Sequence, residues 1–117
     1  MADIPNPFKP VAASAGGQAT ISASAGALIP GAYSGPSAGN VLRVANKGIY
    51  AMRLKLGADN TVAATSNDLL IGPGDTELIT VDGSKPYYSV LGVAGAAVTG
   101  VTNGTTDYSI TLGINGV

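Results

Sequence analysis

The clearest pattern in the chain runs from Ile49 to Leu56. Tyr50, Met52, Leu54 and Leu56 fall on one side, and Ala51, Arg53 and Lys55 on the other. Apolar residues at every second position predict a half-buried β-strand. Asp107–Leu112 repeats the pattern, with Tyr108, Ile110 and Leu112 facing one way and Ser109 and Thr111 the other. Val41–Ala45, Thr76–Val81 and Tyr87–Val93 read as further strands, with weaker runs at Thr61–Thr65, Asp68–Ile71 and Ala96–Thr102. Turn residues separate them: Asn46-Lys47-Gly48, read as a hairpin, then Gly57–Asn60, Gly72-Pro73-Gly74, Asp82-Gly83-Ser84 and Asn103-Gly104, a second hairpin cue. No window holds a 3.6-residue apolar period with caps. About seven or eight short strands at this turn spacing predict an all-β fold, an antiparallel β-sandwich or jelly roll.

Before residue 40 the pattern fades. Residues 12–39 are mostly Ala, Gly and Ser, and no charge occurs between Lys9 and Arg43. Such a segment buries too little to offset its ordering entropy alone. Gln18–Ala23 is its one candidate for an edge strand. Pro5, Pro7 and Pro10 surround Phe8 and impose an extended, polyproline-like path. The expected division is therefore an N-terminal arm over 1–39 and a sandwich over 40–117.

Composition changes the picture in one respect. Of 117 residues 45% are hydrophobic, yet there is one Phe and no Trp. A core of Ala, Val, Leu and Ile with no cysteine to staple it points to stabilisation by self-association, as a dimer or trimer. Phe8, the only Phe, packs back on its own sandwich or docks into a neighbouring subunit. Of the adjacent Tyr87 and Tyr88, one is expected inside and one outside, either as rim packing or as an interface anchor. Pro5, Pro7, Phe8, Pro10, Tyr87 and Tyr88 are thus the candidate contact residues.

Charge and chemistry mainly exclude. Six Lys and Arg against seven Asp and Glu give a net charge of −1, a poor match for nucleic acid or an anionic membrane surface. Residues 1–10 do not read as a signal peptide, and the uncharged stretch Pro86–Thr106 is too rich in Gly and Thr for a membrane helix. Without His or Cys there is no thiol nucleophile, no histidine base and no Cys/His zinc site. Asp75 and Glu77 share a strand face but lack surrounding aromatics, so solvated turn acids are the plainer reading. Asp59, Asn60, Asn67 and Asp68 depart from the alternating calcium-loop pattern and fit Asx turns. Gly72–Asp75 lacks the Lys-Ser/Thr ending of a phosphate loop. Ser84 and Lys85 are adjacent and point to opposite strand faces. No catalytic, cofactor-binding or metal residue is assigned, and no enzyme activity is expected.

From residue 40 onward the chain resembles small β-sandwich virion proteins of tailed bacteriophages. The likeness rests on Val41–Gly48, on Ala51–Gly57, on Ala63-Ala64-Thr65-Ser66-Asn67-Asp68, on Ile71-Gly72-Pro73-Gly74 and on the closing Tyr108–Gly116. It implies a non-enzymatic protein on the outer surface of the capsid, decorating or cementing the shell by bridging neighbouring major capsid subunits. A tail, fibre or head–tail adaptor part is the alternative in the same setting. A carbohydrate-binding sandwich is the alternative outside it. With charged residues at 11%, binding is expected to be apolar and main-chain in character.

Overall fold

The computed structural model describes residues 8–31, 41–81 and 84–115. All of the regular structure among them is β. The strands are β1 (Phe8–Pro10), β2 (Ala15–Ala19), β3 (Ala27–Leu28), β4 (Val41–Asn46), β5 (Met52–Gly57), β6 (Leu69–Ile71), β7 (Thr76–Thr80), β8 (Tyr87–Gly92) and β9 (Thr106–Asn115). Every pairing between them is antiparallel.

They form two sheets. One has the order β1-β9-β4-β7, with β2 also on β9, and the other the order β3-β8-β5-β6. β1 and β2 lie along the same edge of the long β9: Phe8–Pro10 oppose Asn115–Gly113, and Ala15–Ala19 oppose Ile110–Thr106. Counted as one interrupted strand, they leave four strands in each sheet. The chain then changes sheet at every connection except β5–β6. This is the double Greek-key order of a jelly roll. The expectation of a sandwich or jelly roll is met, and the strand order resolves it to the second.

Alternation decides the core. Leu42, Val44, Ile110 and Leu112 on the first sheet face Met52, Leu54, Tyr88 and Val90 on the second, with Ile29 and Ile71 filling in; all are buried. Full burial of each large aliphatic side chain contributes about 1.5–3 kcal/mol. The expected inward faces of β5 and β9 are therefore observed.

Several local expectations are corrected. Asn46-Lys47-Gly48 is not a hairpin, because β4 and β5 belong to different sheets. Asn46 is buried and bonds to both sides of the gap. Its amide donates to Tyr50 O (2.8 Å) and Ile71 O (3.1 Å), and its Oδ1 accepts from Thr106 Oγ1 (2.6 Å) and Gly48 N–H (3.2 Å). Thr61–Thr65 is not a strand, because acid side chains take its backbone donors. Asp59 Oδ1 accepts from Thr61 N–H (2.9 Å), and Asp68 Oδ2 from Thr65 N–H (2.7 Å). Ala96–Thr102 holds only a bridge between Val98 and Val101. Asn103-Gly104 is a turn feeding β9, with Gly104 at φ 84°, and does not join paired strands. The edge strand expected at Gln18–Ala23 starts earlier, at Ala15, and ends at Ala19. Within the segment read as an arm, β1, β2 and β3 run along the sheets.

Candidate contact surfaces

Phe8 has a seat on its own sheet. It opposes Asn115, and Pro10 opposes Gly113; Phe8, Pro10 and Gly113 share the outer face of the first sheet. A Cβ at Gly113 would lie 2.5 Å from Phe8 Cζ and 2.5 Å from Lys9 O. The ring and the β1 backbone therefore rest where only glycine leaves room. The Arg43 guanidinium lies 5.1 Å from the ring centroid. At an exposed site this cation–π contact contributes about 0.5–1 kcal/mol. Beside it, the Ser14 and Thr111 hydroxyls share a 2.5 Å hydrogen bond. Within its own chain Phe8 therefore packs on the sheet, beside Gly113 and Arg43. Pro10 is exposed, while Pro5 and Pro7 lie outside the described residues.

The tyrosine pair splits as alternation demands. Tyr88 is buried and crosses the core to Tyr108; their hydroxyls are 3.2 Å apart and their rings stack edge-to-face at 6.2 Å and 75°. Burial first, then the hydrogen bond and charge interaction with Tyr88, hold the Tyr108 hydroxyl well above its ordinary value. Tyr88 is thus closed to a partner and is corrected from contact residue to core. Tyr87 is half-buried, opposite Leu28 and Gly57 on the second sheet. The surface candidates Phe8 and Pro10 lie on one sheet and Tyr87 on the other, so the fold does not gather them.

The polar candidates resolve into turn chemistry. Asp59 bonds Thr61 through both its N–H and its hydroxyl, which lowers the Asp59 carboxyl below its ordinary value. Asp68 does the same for Thr65. Among the described residues no three His, Cys, Asp or Glu side chains gather as a metal site would require. The described residues also line open grooves, of which two stand out. One, of about 670 Å³, lies where β2 ends and β9 begins and includes Gln18, Lys47, Ile49, Val101, Thr105 and Asp107. The other, of about 320 Å³, is lined by Ile21, Arg53, Leu91 and Val93. Neither is lined by an aromatic ring.

The feature that sequence reading missed is the β6–β7 side. These strands are the outer edges of the two sheets, joined by the Gly72–Asp75 turn. Leu78 is 58% exposed, Leu70 48% and Leu69 43%. The signal was present: Thr76–Val81 carries apolar residues on both alternating faces, so one set had to face outward.

No family model and no curated protein matches the chain. Among solved structures it is similar to a subunit from Bacillus endospore appendages, described as a novel family of disulfide-linked pili, with a TM-score of 0.48 and 10% identity. The alignment covers 100% of this chain and 98% of that one.

Proposed function

We propose that this chain is a structural virion protein that decorates and cements a tailed-phage capsid, on its outer surface, by bridging neighbouring major capsid subunits. The observation that carries the reading is the jelly-roll strand order, an architecture recurrent in viral shells. It acts together with the likeness of residues 40–116 to small virion sandwiches. Because one fold hosts many functions, the surface also has to suit the role. It does so in two ways. The exposed Leu69 and Leu70 of β6, and the edge of that strand that no described strand pairs with, suit apolar and main-chain attachment. No step of the role requires a reactive side chain.

Repetition over a symmetric shell would add weak contacts through multivalency. With few charges engaged, particle binding should persist in moderate salt; release by a few hundred millimolar salt would count against the reading. A tail, fibre or adaptor part differs from this in copy number. A carbohydrate-binding module is disfavoured by the described tyrosines. Tyr50, Tyr88 and Tyr108 are buried, and Tyr87 is half-buried.

The test is quantitative mass spectrometry of purified virions. A copy number equal to, or a simple fraction of, that of the major capsid subunit is the expected result. A few copies per particle would shift the assignment to the tail, and absence from virions would overturn it.

A further inference from the structure

The free edge of β7 carries an inference of its own. β7 pairs with β4 on one side, and no described strand pairs with its other side. Asn46 N–H donates to Asp75 O at 2.9 Å. This sets the phase of the β4–β7 ladder. Glu77 and Ile79 exchange bonds with Val44 and Leu42, while Thr76, Leu78 and Thr80 point their N–H and C=O groups outward. The outward groups are thus arranged symmetrically about Leu78.

The other end of the same sheet is protected. Its edge carries Lys9, Pro10 and a break between β1 and β2, and the neighbouring β3 has only two residues. Those are the usual devices against edge pairing. Thr76–Thr80 has no proline, no lysine and no break; its one charge is Glu77, and all five residues are in register with β4.

We propose that β7 pairs antiparallel with β7 of a second copy of this chain, about a two-fold axis at Leu78. Leu78 then faces Leu78 of the other copy, and Thr76 faces Thr80 on either side. Each of these facing pairs exchanges both of its backbone hydrogen bonds, and the first sheet runs on continuously through the dimer. Charge favours this register over the one centred on Glu77. Glu77 comes opposite Ile79 of the other copy, whereas the register centred on Glu77 sets two carboxylates face to face. On the outer face the two leucines meet in the middle, each flanked by its own Arg43, which opposes Leu78 on β4.

The test uses the isolated full-length chain, so its outcome is independent of the virion reading. Sedimentation equilibrium should show a dimer, and Leu78→Lys should weaken it at least tenfold. Thr80→Pro removes an outward N–H without touching the bonds to β4, and should also weaken the dimer. Circular dichroism checks that both variants stay folded. The chain has no cysteine. Leu78→Cys should therefore give a disulfide dimer on mild oxidation. Thr76→Cys alone should not, but a mixture of Thr76→Cys and Thr80→Cys should. A wild-type chain still monomeric at about 100 µM would overturn the proposal. So would a dimer indifferent to Leu78→Lys. Protection of the Leu78 amide from exchange in a monomer would overturn it too, since the edge would then be covered within one chain.

Discussion

Asn46→Ala is the most demanding test of how the two sheets are joined. The side chain is 1% exposed and takes part in four hydrogen bonds, to Tyr50, Ile71, Gly48 and Thr106. Three of these partners are backbone groups and one is a hydroxyl. They belong to the β4–β5 crossing, the end of β6 and the start of β9. At about 1 kcal/mol net for each bond, the loss is about 4 kcal/mol, with more where a partner stays buried and unsatisfied. Total stabilities of domains run to about 5–15 kcal/mol, so the variant should be close to marginal. For a chain of this length about 4 °C is lost per kcal/mol, giving a fall in Tm of about 15 °C. With an m-value of about 2 kcal/mol/M, the urea midpoint should drop by about 2 M. Far-UV circular dichroism reads the transition. Thr106→Val removes one bond of the four and should cost about 1 kcal/mol, since Gly48 N–H still bonds to Oδ1. A loss below about 1 kcal/mol in Asn46→Ala itself would refute the view that this residue ties the sheets.

Gly113→Ala should unseat β1, because the new Cβ meets Lys9 O and the Phe8 ring at 2.5 Å. Val11 N–H bonds to Leu112 O at 2.9 Å, so exchange protection at Val11 should fall, at a cost of about 1–3 kcal/mol; unchanged protection would contradict the proposed seat. Phe8→Leu should cost a further fraction of that through the lost cation–π contact, and a double-mutant cycle with Arg43→Gln isolates the term. The Tyr108 hydroxyl is raised above its unfolded value of 10.0, so the native state holds its proton longer than the unfolded state. Its contribution is complete below pH 10.0 and declines as pH rises beyond it, and Tyr108→Phe should flatten the fall in the urea midpoint over that range. An equal slope in both proteins would assign the alkaline loss to other groups.

Much of the fold was legible because strand alternation is a local property. Tyr50, Met52 and Leu54, like Tyr108, Ile110 and Leu112, announce their buried faces through their own spacing. Turn residues did the same for segment ends, as Gly72-Pro73-Gly74 shows between β6 and β7. The contact surface was harder to read. Phe8 had two possible seats, and its place on its own sheet depended on Gly113, near the other end of the chain, lying beneath it. Of Tyr87 and Tyr88 one was expected inside, and only the meeting of Tyr88 with Tyr108 across the core shows which.

Alternation along a strand says which side chains are buried and is silent about which strand lies alongside. The sequence by itself therefore determined the all-β class, the inward faces of β5 and β9 and most of the turns. Pairing is long-range, settled by simultaneous burial of both sheets and by satisfaction of polar groups such as the Asn46 amide. Only the tertiary structure could send β4 and β5 to different sheets, lay β1 and β2 along β9, and leave β7 as an open edge. Those are properties of backbone groups brought together from distant parts of the chain, and no residue carries them alone.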